Sequence, residues 1–385
     1  MQYKGKSHSI DLRKIARAGI FELGVYVPGK PIQEVKEEYG LEEVIKLASN
    51  ECPLPLPEEV IQSIQEETKN LSRYPDGHCR KLRARLSNQL GIPPECILFG
   101  NGAEECVRLI SQAFLNPGDT GLSPSPIYDA YDTAVKMAGA DVVTIPLKDY
   151  RIDLDTTLQN VDNRTKIVWL CSPINPTGTI ITRKAFESFL EQLPEGILVV
   201  FDEAYLEFVS SKEAAHALDY LYTDARVIGI RTFSKAFGLA GLRIGYIVAH
   251  PSVTEVISMV KLPFNVNALA QVAALTSLDE TKFVKNYVWI NAKERGFLYE
   301  KLEKRGMFVV PSEANFLFVE IPIDSDDLFR RLLPRGIIVR PGSIWGLDRF
   351  IRLTIGTREQ NLKFLFALDR VLAETKMTAV LDKGK

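Results

Sequence analysis

Five short runs of mostly apolar residues lie in the middle of the chain, and they constrain its fold more than any other feature. Each run is six residues long, and the runs are Asp141–Pro146, Ile167–Ser172, Ile197–Asp202, Val227–Thr232 and Ile244–Ala249. Runs of this length without polar alternation are typical of strands buried on both faces of a parallel sheet. Helical patterns such as Ala103–Phe114 alternate with strand patterns of this kind. The sequence therefore predicts an α/β fold whose large domain is a doubly wound, mostly parallel sheet.

The pattern changes near residue 280. A long charged amphipathic helix is predicted over Lys282–Arg305, and short strand patterns follow it before a last helix at Glu359–Glu374. Mixed elements of this kind predict a smaller α+β domain. We therefore expect residues 1–50 to form an N-terminal arm and part of the small domain, residues 51–280 the large domain, and residues 281–385 the small C-terminal domain.

Composition and charge argue against several classes of function. The net charge is −2 and the chain contains no basic tract, so a nucleic-acid partner is not expected. No segment approaches the roughly 20 apolar residues of a membrane span, and no membrane association is expected. The five cysteines form no CxxC pair and there are only four histidines. We therefore expect no metal site, and reduced thiols in the cytoplasm are the simplest interpretation.

One lysine in a setting of small and apolar residues is the first candidate catalytic group. Lys235 follows the strand pattern Val227–Thr232, and Gly238 and Gly241 come soon after it. Glycines let the backbone approach a ligand closely. Desolvation and nearby cations lower the pKa of a lysine, which Schiff-base chemistry requires. An isolated lysine is usually a surface residue, so Lys235 alone predicts little.

Other polar residues follow neighbouring strand patterns. Asp202 ends one apolar run, where its carboxylate would point into the crevice beyond the strand ends and could keep a pyridine nitrogen protonated. Asn175 lies in a turn that Pro173 and Pro176 make rigid, so its amide is a candidate donor. Gly102 lies between a strand and a helix, where free N–H groups bind phosphate. Each feature taken alone also fits a helix cap or an ordinary turn.

Two tyrosines follow the strand pattern that ends at Ser125. The ring of Tyr128 could stack on a flat cofactor, and Tyr131 is the second choice for that position. Core packing also explains either ring. The glycine pair at Gly100 and Gly102 lacks the third glycine of a dinucleotide-binding motif, so a dinucleotide cofactor is disfavoured.

The order of these motifs carries more weight than any one of them. The segments are GNGAEE, PIYDAY, SPINPTG, DEAY, SKAFGLAGLRIG and IRLTIGTRE. Together they resemble the fold-type I aminotransferases of class I and II, from about residue 26 to residue 358. The resemblance implies a transaminase with pyridoxal 5′-phosphate (PLP) as cofactor. It also implies a homodimer with shared active sites.

The same resemblance implies roles for individual residues. The catalytic group would be Lys235, which forms the Schiff base with PLP and shuttles a proton, with Asp202 on the pyridinium nitrogen and Tyr205 on the phenolate oxygen. The other implied cofactor-binding residues surround the ring and the phosphate: Asn175, Tyr128, Gly102, Ala103, Glu104, Thr232, Ser234, Arg243 and, from the neighbouring subunit, Tyr74.

A narrower resemblance concerns the substrate. The segments that carry it are YVPGKP, KLASNE, RYPD and GIIVRPG. They are similar to the histidinol-phosphate aminotransferases of histidine biosynthesis, which pass an amino group between glutamate (giving 2-oxoglutarate) and a phosphorylated keto substrate in a ping-pong reaction. The implied substrate-binding residues are Tyr26, Asn50, Asn315, Arg340 and Arg352, of which Arg352 would bind a carboxylate bidentately.

Two positions depart from the usual pattern of that branch. Cys52 stands where asparagine is usual, and Ile174 stands where asparagine is frequent. Three alternatives therefore stay open. One is an aromatic amino-acid aminotransferase, and another is a PLP-dependent decarboxylase of a phosphorylated amino acid such as threonine phosphate. The third is a non-catalytic PLP-binding regulator, for which residues 1–50 are too short and not basic enough.

Overall fold

Two β-sheets organise the part of the chain that the computed structural model describes, which is residues 10–17, 19–23 and 29–383, without the side chains of residues 22 and 376–383. The strands in this part are β1 (Ile45–Leu47), β2 (Ile97–Gly100), β3 (Thr120–Ser125), β4 (Asp141–Pro146), β5 (Thr165–Cys171), β6 (Leu198–Asp202), β7 (Val227–Thr232), β8 (Gly245–Val248), β9 (Val309–Val310), β10 (Phe316–Glu320), β11 (Ile337–Pro341) and β12 (Phe350–Thr354).

Helices pack around both sheets. Their bounds are α1 (Leu12–Ile15), α2 (Ile32–Tyr39), α3 (Glu58–Glu67), α4 (Arg80–Leu90), α5 (Ala103–Phe114), α6 (Ala130–Ala138), α7 (Leu154–Gln159), α8 (Arg183–Gln192), α9 (Pro251–Ser258), α10 (Ala268–Ser277), α11 (Thr281–Glu303), α12 (Ser325–Leu332) and α13 (Arg358–Lys383). Within the described residues, none of these helices is both long and apolar enough to span a membrane.

The larger sheet has the strand order β2-β8-β7-β6-β5-β3-β4. Strands β3 to β7 pair in parallel, whereas β8 is antiparallel to both β2 and β7. Apolar side chains on both faces of the central strands are buried, as Trp169, Val200 and Ile228 illustrate with 0% exposure each. The prediction of an α/β fold with a mostly parallel sheet is confirmed.

One of the five apolar runs is not buried on both faces. Strand β4 lies at the end of the sheet order, and only Ile145 of its six residues is buried. The prediction of burial on both faces is wrong for this strand, because an edge position leaves one side of the strand open. Its sequence, which includes Asp141 and Thr144, is more polar than that of the central strands and suits this place.

The smaller sheet has the order β1-β11-β12-β10-β9. Strand β1 pairs in parallel with β11, so the segment around Ile45 joins a sheet whose other strands come from the C-terminal part of the chain. Apolar residues of α11 and α13, among them Leu298 and Phe364, form the core against this sheet. These features are consistent with the expected division near residues 50 and 280, whose bounds stay a prediction.

A cluster of aromatic and small residues lies between the two sheets. It joins Tyr205, Phe208 and Ala236, which follow strands of the larger sheet, to Tyr287 and Phe316 of the smaller part. All five residues are at most 5% exposed. The ends of strands β6 and β7 therefore face residues of the smaller sheet across a close-packed contact.

Candidate active site

The strand-end residues meet at one edge of the larger sheet. Asp202 is the last residue of β6, and Lys235 follows the end of β7 by three residues. Because β8 runs antiparallel, its first residue, Gly245, pairs with Thr232 at the end of β7. This orientation brings Arg243, which precedes β8, to the same edge. Sheet pairing therefore gathers residues that are far apart in sequence, as expected for ligand sites in α/β folds.

A cradle for an anion lies where α5 begins. Gly102 has φ +83°, and a Cβ atom there would lie 2.5 Å from Nη2 of Arg243. A Cβ atom on Gly245 would likewise lie 2.6 Å from the main-chain nitrogen of Ala103. Both positions therefore require glycine. The free N–H groups at the start of α5 and the guanidinium of Arg243 together suit a phosphate.

The neighbouring side chains shape this cradle. Ser234 is buried, and its main-chain N–H donates to Oγ1 of Thr232 at 3.1 Å. The hydroxyl of Thr232 donates in turn to the carbonyl of Ile244 at 3.3 Å. The carboxylate of Glu104 pairs with Arg108 at 2.8 Å, so the group that Glu104 offers to a phosphate is its main-chain N–H. The cofactor roles of these residues stay predictions.

Lys235 is half-buried in the site. Its Nζ donates to the carbonyl of Ser49 at 3.1 Å. Burial and the positive charges of Arg352 and Arg243 together lower the pKa of this amine to about 8, against the opposing effect of the nearby carboxylates. About a tenth of the amine is therefore neutral at pH 7, and a neutral amine is the form that acts as a nucleophile or a base.

Asp202 is 4% exposed and accepts two hydrogen bonds. Its Oδ1 accepts from the main-chain N–H of Ala204 at 2.9 Å, and its Oδ2 accepts from the hydroxyl of Tyr131 at 2.6 Å. Burial raises the pKa of this carboxyl to about 6. Carboxylates in such surroundings favour a cationic partner, and a protonated pyridine nitrogen is one.

Tyr131 does not lie where a residue that stacks on the cofactor would lie. Its ring is fully buried and stacks on Trp169 with the centroids 5.2 Å apart and the planes at 15°. Its hydroxyl is held by Asp202. Tyr131 is therefore a support for the carboxylate, and the second-choice interpretation as a stacking residue is wrong. Tyr128 precedes α6, and its ring meets that of Tyr131 edge-on with the centroids 5.9 Å apart.

The raised pKa of Asp202 predicts a pH dependence of the cofactor-free protein. A carboxyl whose pKa rises from 3.8 to about 6 on folding stabilises the fold fully below about pH 4, and this contribution is lost as the pH rises towards about 6. The contribution is about 3 kcal/mol. In Asp202→Asn the free energy of unfolding should therefore vary less between these pH values, as urea titrations can measure. The exposed Glu66→Gln is the control, and an equal flattening there would contradict the assignment.

Tyr205 and Asn175 lie on the side of the site nearest the smaller sheet. The hydroxyl of Tyr205 accepts from Nδ2 of Asn50 at 3.0 Å, and burial raises its pKa to about 12, so it keeps its proton. Oδ1 of Asn175 accepts from Nη1 of Arg352 at 2.6 Å, which leaves Nδ2 as the donor end of that amide. Both residues thus offer a donor to an oxygen anion, and their contact with the phenolate oxygen stays a prediction.

Two arginines face each other on adjacent strands of the smaller sheet. Arg340 of β11 is the register partner of Arg352 of β12. Arg352 is 7% exposed, and its Nη2 donates to the carbonyl of Ala48 at 2.5 Å. Like charges directly opposite each other are unfavourable in a sheet. Asp129 supplies one negative charge near Arg340, and an anionic ligand would add to this balance. A guanidinium held in this way is also pre-oriented for a carboxylate.

Asn50 has an unusual backbone conformation. Its φ is +55°, its side chain is 1% exposed, and its carbonyl accepts from Nδ2 of Asn315 at 3.1 Å. Asparagine tolerates this left-handed region better than most residues do. Asn315 itself is fully buried, so the structure places it behind Asn50 as a support. The direct substrate contacts expected of both residues stay predictions.

Three other predicted residues complete the set. Tyr26 lies outside the described residues. Tyr74 is 83% exposed, and its ring stacks on that of Phe264 at 4.7 Å. Tyr128 is partly buried near the start of α6, with its hydroxyl 3.5 Å from a carboxylate oxygen of Glu104. The stacking role of Tyr128 stays a prediction.

The two departures from the usual pattern bring no charge into the site. Ile174 is 1% exposed and packs in the apolar core of the larger sheet. Cys52 is partly buried near Gly238, and burial raises the pKa of its thiol to about 11. A neutral thiol and an alkyl group leave the polar groups of the site unchanged.

The converging groups fit PLP at each of its polar ends. The cationic cradle at the start of α5 suits the phosphate, and the buried carboxylate suits the pyridinium nitrogen. The amide and phenol donors suit the phenolate oxygen, and the amine of Lys235 suits the aldehyde. Among the described residues, no group of histidine, cysteine and acidic side chains is placed to hold a metal ion.

Comparisons with known proteins agree with this chemistry. The chain matches the family "Aminotransferase class I and II" over residues 42–368. It is 42% identical over 374 residues to the histidinol-phosphate aminotransferase of Moorella thermoacetica, which covers 97% of each chain. It is 41% identical over 356 residues to that of Caldicellulosiruptor saccharolyticus, which covers 92% of this chain and 99% of the relative.

A solved structure extends the comparison to the fold. The histidinol-phosphate aminotransferase of Sinorhizobium meliloti, in complex with PLP, superposes with a TM-score of 0.85 at 25% identity over 97% of this chain and 100% of that one. The resemblance drawn from the motifs is therefore confirmed. The chain belongs to the aminotransferases of class I and II, and it is a PLP-dependent transaminase.

Proposed function

We propose that this transaminase is a histidinol-phosphate aminotransferase that uses glutamate and 2-oxoglutarate as the second substrate pair. The observation that carries the proposal is the register pair of Arg340 and Arg352, of which Arg352 lies near enough to Lys235 for its charge to lower the pKa of that amine. Both proposed substrates are anions, one with a phosphate and one with carboxylates. The similar proteins of Moorella and Caldicellulosiruptor are both named histidinol-phosphate aminotransferase, which supports this choice of substrate.

The residues divide the work of the reaction. Lys235 moves the proton at the substrate carbon, and its pKa of about 8 keeps it effective near neutral pH. Tyr131 and Ala204 fix both oxygens of Asp202. The oriented carboxylate would keep the ring nitrogen of the cofactor protonated. PLP, when bound, supplies the electron sink and carries the amino group between the two halves of a ping-pong reaction.

The arginines orient the substrate. The bonds from Arg352 to Asn175 and to the carbonyl of Ala48 hold its guanidinium in one plane, which suits two parallel hydrogen bonds to a carboxylate. Arg340 lies across from it and adds the charge that a phosphate dianion requires. One pair of cations can thus serve both anionic substrates in turn.

Half-reactions with single amino donors test this proposal. Histidinol phosphate should convert the bound cofactor to its amino form. The limiting rate constant divided by the dissociation constant should be at least about 100-fold higher than for histidinol, because histidinol lacks the phosphate and so loses its charge-assisted hydrogen bonds. Phenylalanine should react at least as poorly as histidinol. Faster reaction of phenylalanine would identify an aromatic aminotransferase, and release of CO₂ from threonine phosphate would identify a decarboxylase.

We also propose a homodimer in which Tyr74 contributes to the partner's cofactor site. Large apolar side chains are exposed in two segments that the stack of Tyr74 on Phe264 joins. Leu71, Met259 and Leu262 in these segments are 53%, 75% and 67% exposed. Exposed apolar side chains on two adjoining segments favour a protein interface, and such an interface would bring Tyr74 to a second copy of the chain.

Hybrid dimers test the shared site. Lys235→Ala and Tyr74→Ala should each be impaired, but in a mixed dimer one site combines a native Lys235 with a native Tyr74 from the other subunit. Random mixing makes half of the dimers hybrid, so activity should recover to about a quarter of the native value. If Tyr74 acts within its own subunit, mixing restores nothing beyond the average of the two variants.

The cysteines support a reducing compartment. All five are free thiols, and four of them are buried. We propose the cytoplasm as the location, and cell fractionation would check it.

A further inference from the structure

A chain of hydrogen bonds leads from the smaller sheet to the hydroxyl of Tyr205. Thr354 is the last residue of β12, and its Oγ1 lies 2.9 Å from the main-chain nitrogen and 3.0 Å from Oδ1 of Asn50. Nδ2 of Asn50 lies 3.0 Å from the hydroxyl of Tyr205. The three side chains are 2%, 1% and 5% exposed, so water competes little for these bonds.

The direction of each bond follows from the one before it. A main-chain N–H can only donate, so Oγ1 of Thr354 accepts from Asn50 and has its own proton left for Oδ1 of Asn50. With Oδ1 accepting, the amide of Asn50 presents its NH₂ group to Tyr205. The phenol oxygen of Tyr205 therefore accepts, and its single proton is turned away from Asn50 and is available to another acceptor.

The backbone conformation of Asn50 keeps this arrangement in place. Its left-handed φ of +55° brings the N–H and the side-chain amide to the same threonine hydroxyl. Asn315 holds the carbonyl of the same residue at 3.1 Å. Thr354 and Asn50, which belong to the smaller sheet and the segment after β1, thus determine the direction of the hydroxyl proton of Tyr205, which follows strand β6 of the larger sheet.

We propose that Thr354 is a positioning residue which, through Asn50, makes Tyr205 a hydrogen-bond donor to the phenolate oxygen of PLP. The inference rests on the proposed contact between Tyr205 and that oxygen. A donated proton stabilises the negative charge of the phenolate and so lowers the pH midpoint of the cofactor's visible absorption change. Nothing in the motif around Thr354 indicated this role, since its partner Asn50 is 304 positions away in the sequence.

A double-mutant cycle read by spectrophotometric pH titration tests the proposal. Thr354→Val should raise the midpoint by about 0.5 to 1 pH unit, that is about 3- to 10-fold in proton affinity, whereas Thr354→Ser keeps the hydroxyl and should leave it unchanged. Tyr205→Phe should raise the midpoint more. In the Tyr205→Phe background, Thr354→Val should add nothing, because the proton that it directs is gone.

Several outcomes overturn the proposal, and they can be told apart. An equal shift from Thr354→Val in both backgrounds would show a general structural effect. No shift from Thr354→Val beside a shift from Tyr205→Phe would refute the relay and leave the contact of Tyr205 standing. No shift from Tyr205→Phe would refute the contact and the relay together, while transamination of histidinol phosphate would still stand as the function.

A second variant covers the case in which Thr354→Val does not fold. Asn50→Asp keeps the shape and tolerates the left-handed conformation, but it has no N–H for Tyr205. Its added charge should raise the midpoint in both backgrounds, and the loss of the relay should raise it further only where Tyr205 is present. Equal shifts in the two backgrounds would overturn the proposal.

Discussion

Lys235→Ala is expected to lower the turnover number by at least about a thousandfold, since the substitution removes both the group that attaches the cofactor and the base that moves the proton. Burial and the nearby arginines lower the pKa of this amine, and its Nζ donates to the carbonyl of Ser49. A coupled assay of glutamate consumption measures the loss.

Chemical trapping makes the assignment specific. Borohydride reduction of the native protein should leave a pyridoxyl group on the peptide that contains Lys235, which mass spectrometry can locate. Lys184→Ala, at an exposed position of α8, is the matched control and should retain both activity and labelling. Label on any other lysine would contradict the central role of Lys235.

Arg352→Lys is expected to lower kcat/KM for glutamate by about 100- to 1,000-fold, although the charge is kept. A lysine cannot form two parallel hydrogen bonds to a carboxylate. It also has one nitrogen where the guanidinium uses two, Nη1 for Asn175 and Nη2 for the carbonyl of Ala48, so the same atom would have to serve both acceptors and the substrate. Because Asn175 belongs to the predicted cofactor contacts, kcat should fall as well as KM rise.

Steady-state kinetics with both substrates measure this effect. The exposed Arg330→Lys on α12 is the control and should leave both constants unchanged. An unchanged KM for glutamate in Arg352→Lys would show that another group binds the carboxylate. A rise in KM for glutamate alone, with histidinol phosphate unaffected, would mean that Arg340 suffices for the phosphate.

The strand-end residues of the larger sheet were predictable because their signals are local. A continuous apolar run predicts a buried strand, and the polar residue at its end must then face the ligand crevice, as Asp202 does. The same logic leads to Lys235 after β7. It fails for β4, where local sequence does not say whether a neighbouring strand lies on each side.

Other parts of the site depend on contacts that local sequence does not contain. The antiparallel direction of β8 brings Arg243 to the cradle, and no pattern within the strand indicates its direction. The stacking of Tyr131 on Trp169, which leaves its hydroxyl on Asp202, joins residues that are 38 and 71 positions away from it in the sequence. Such contacts exist only once the chain has packed.

The apolar runs therefore predicted the central strands of the larger sheet and the chemistry expected at their carboxyl ends, because burial on two faces and a crevice at strand ends follow from composition along short segments. Tertiary structure alone decided how the polar side chains of the site are oriented. The direction of the Tyr205 proton depends on Thr354 and Asn50, which are 304 positions apart, and the opposition of Arg340 and Arg352 depends on strand register. Hydrogen bonds and charges act over a few ångströms, so their outcome is set by which distant segments the fold brings together.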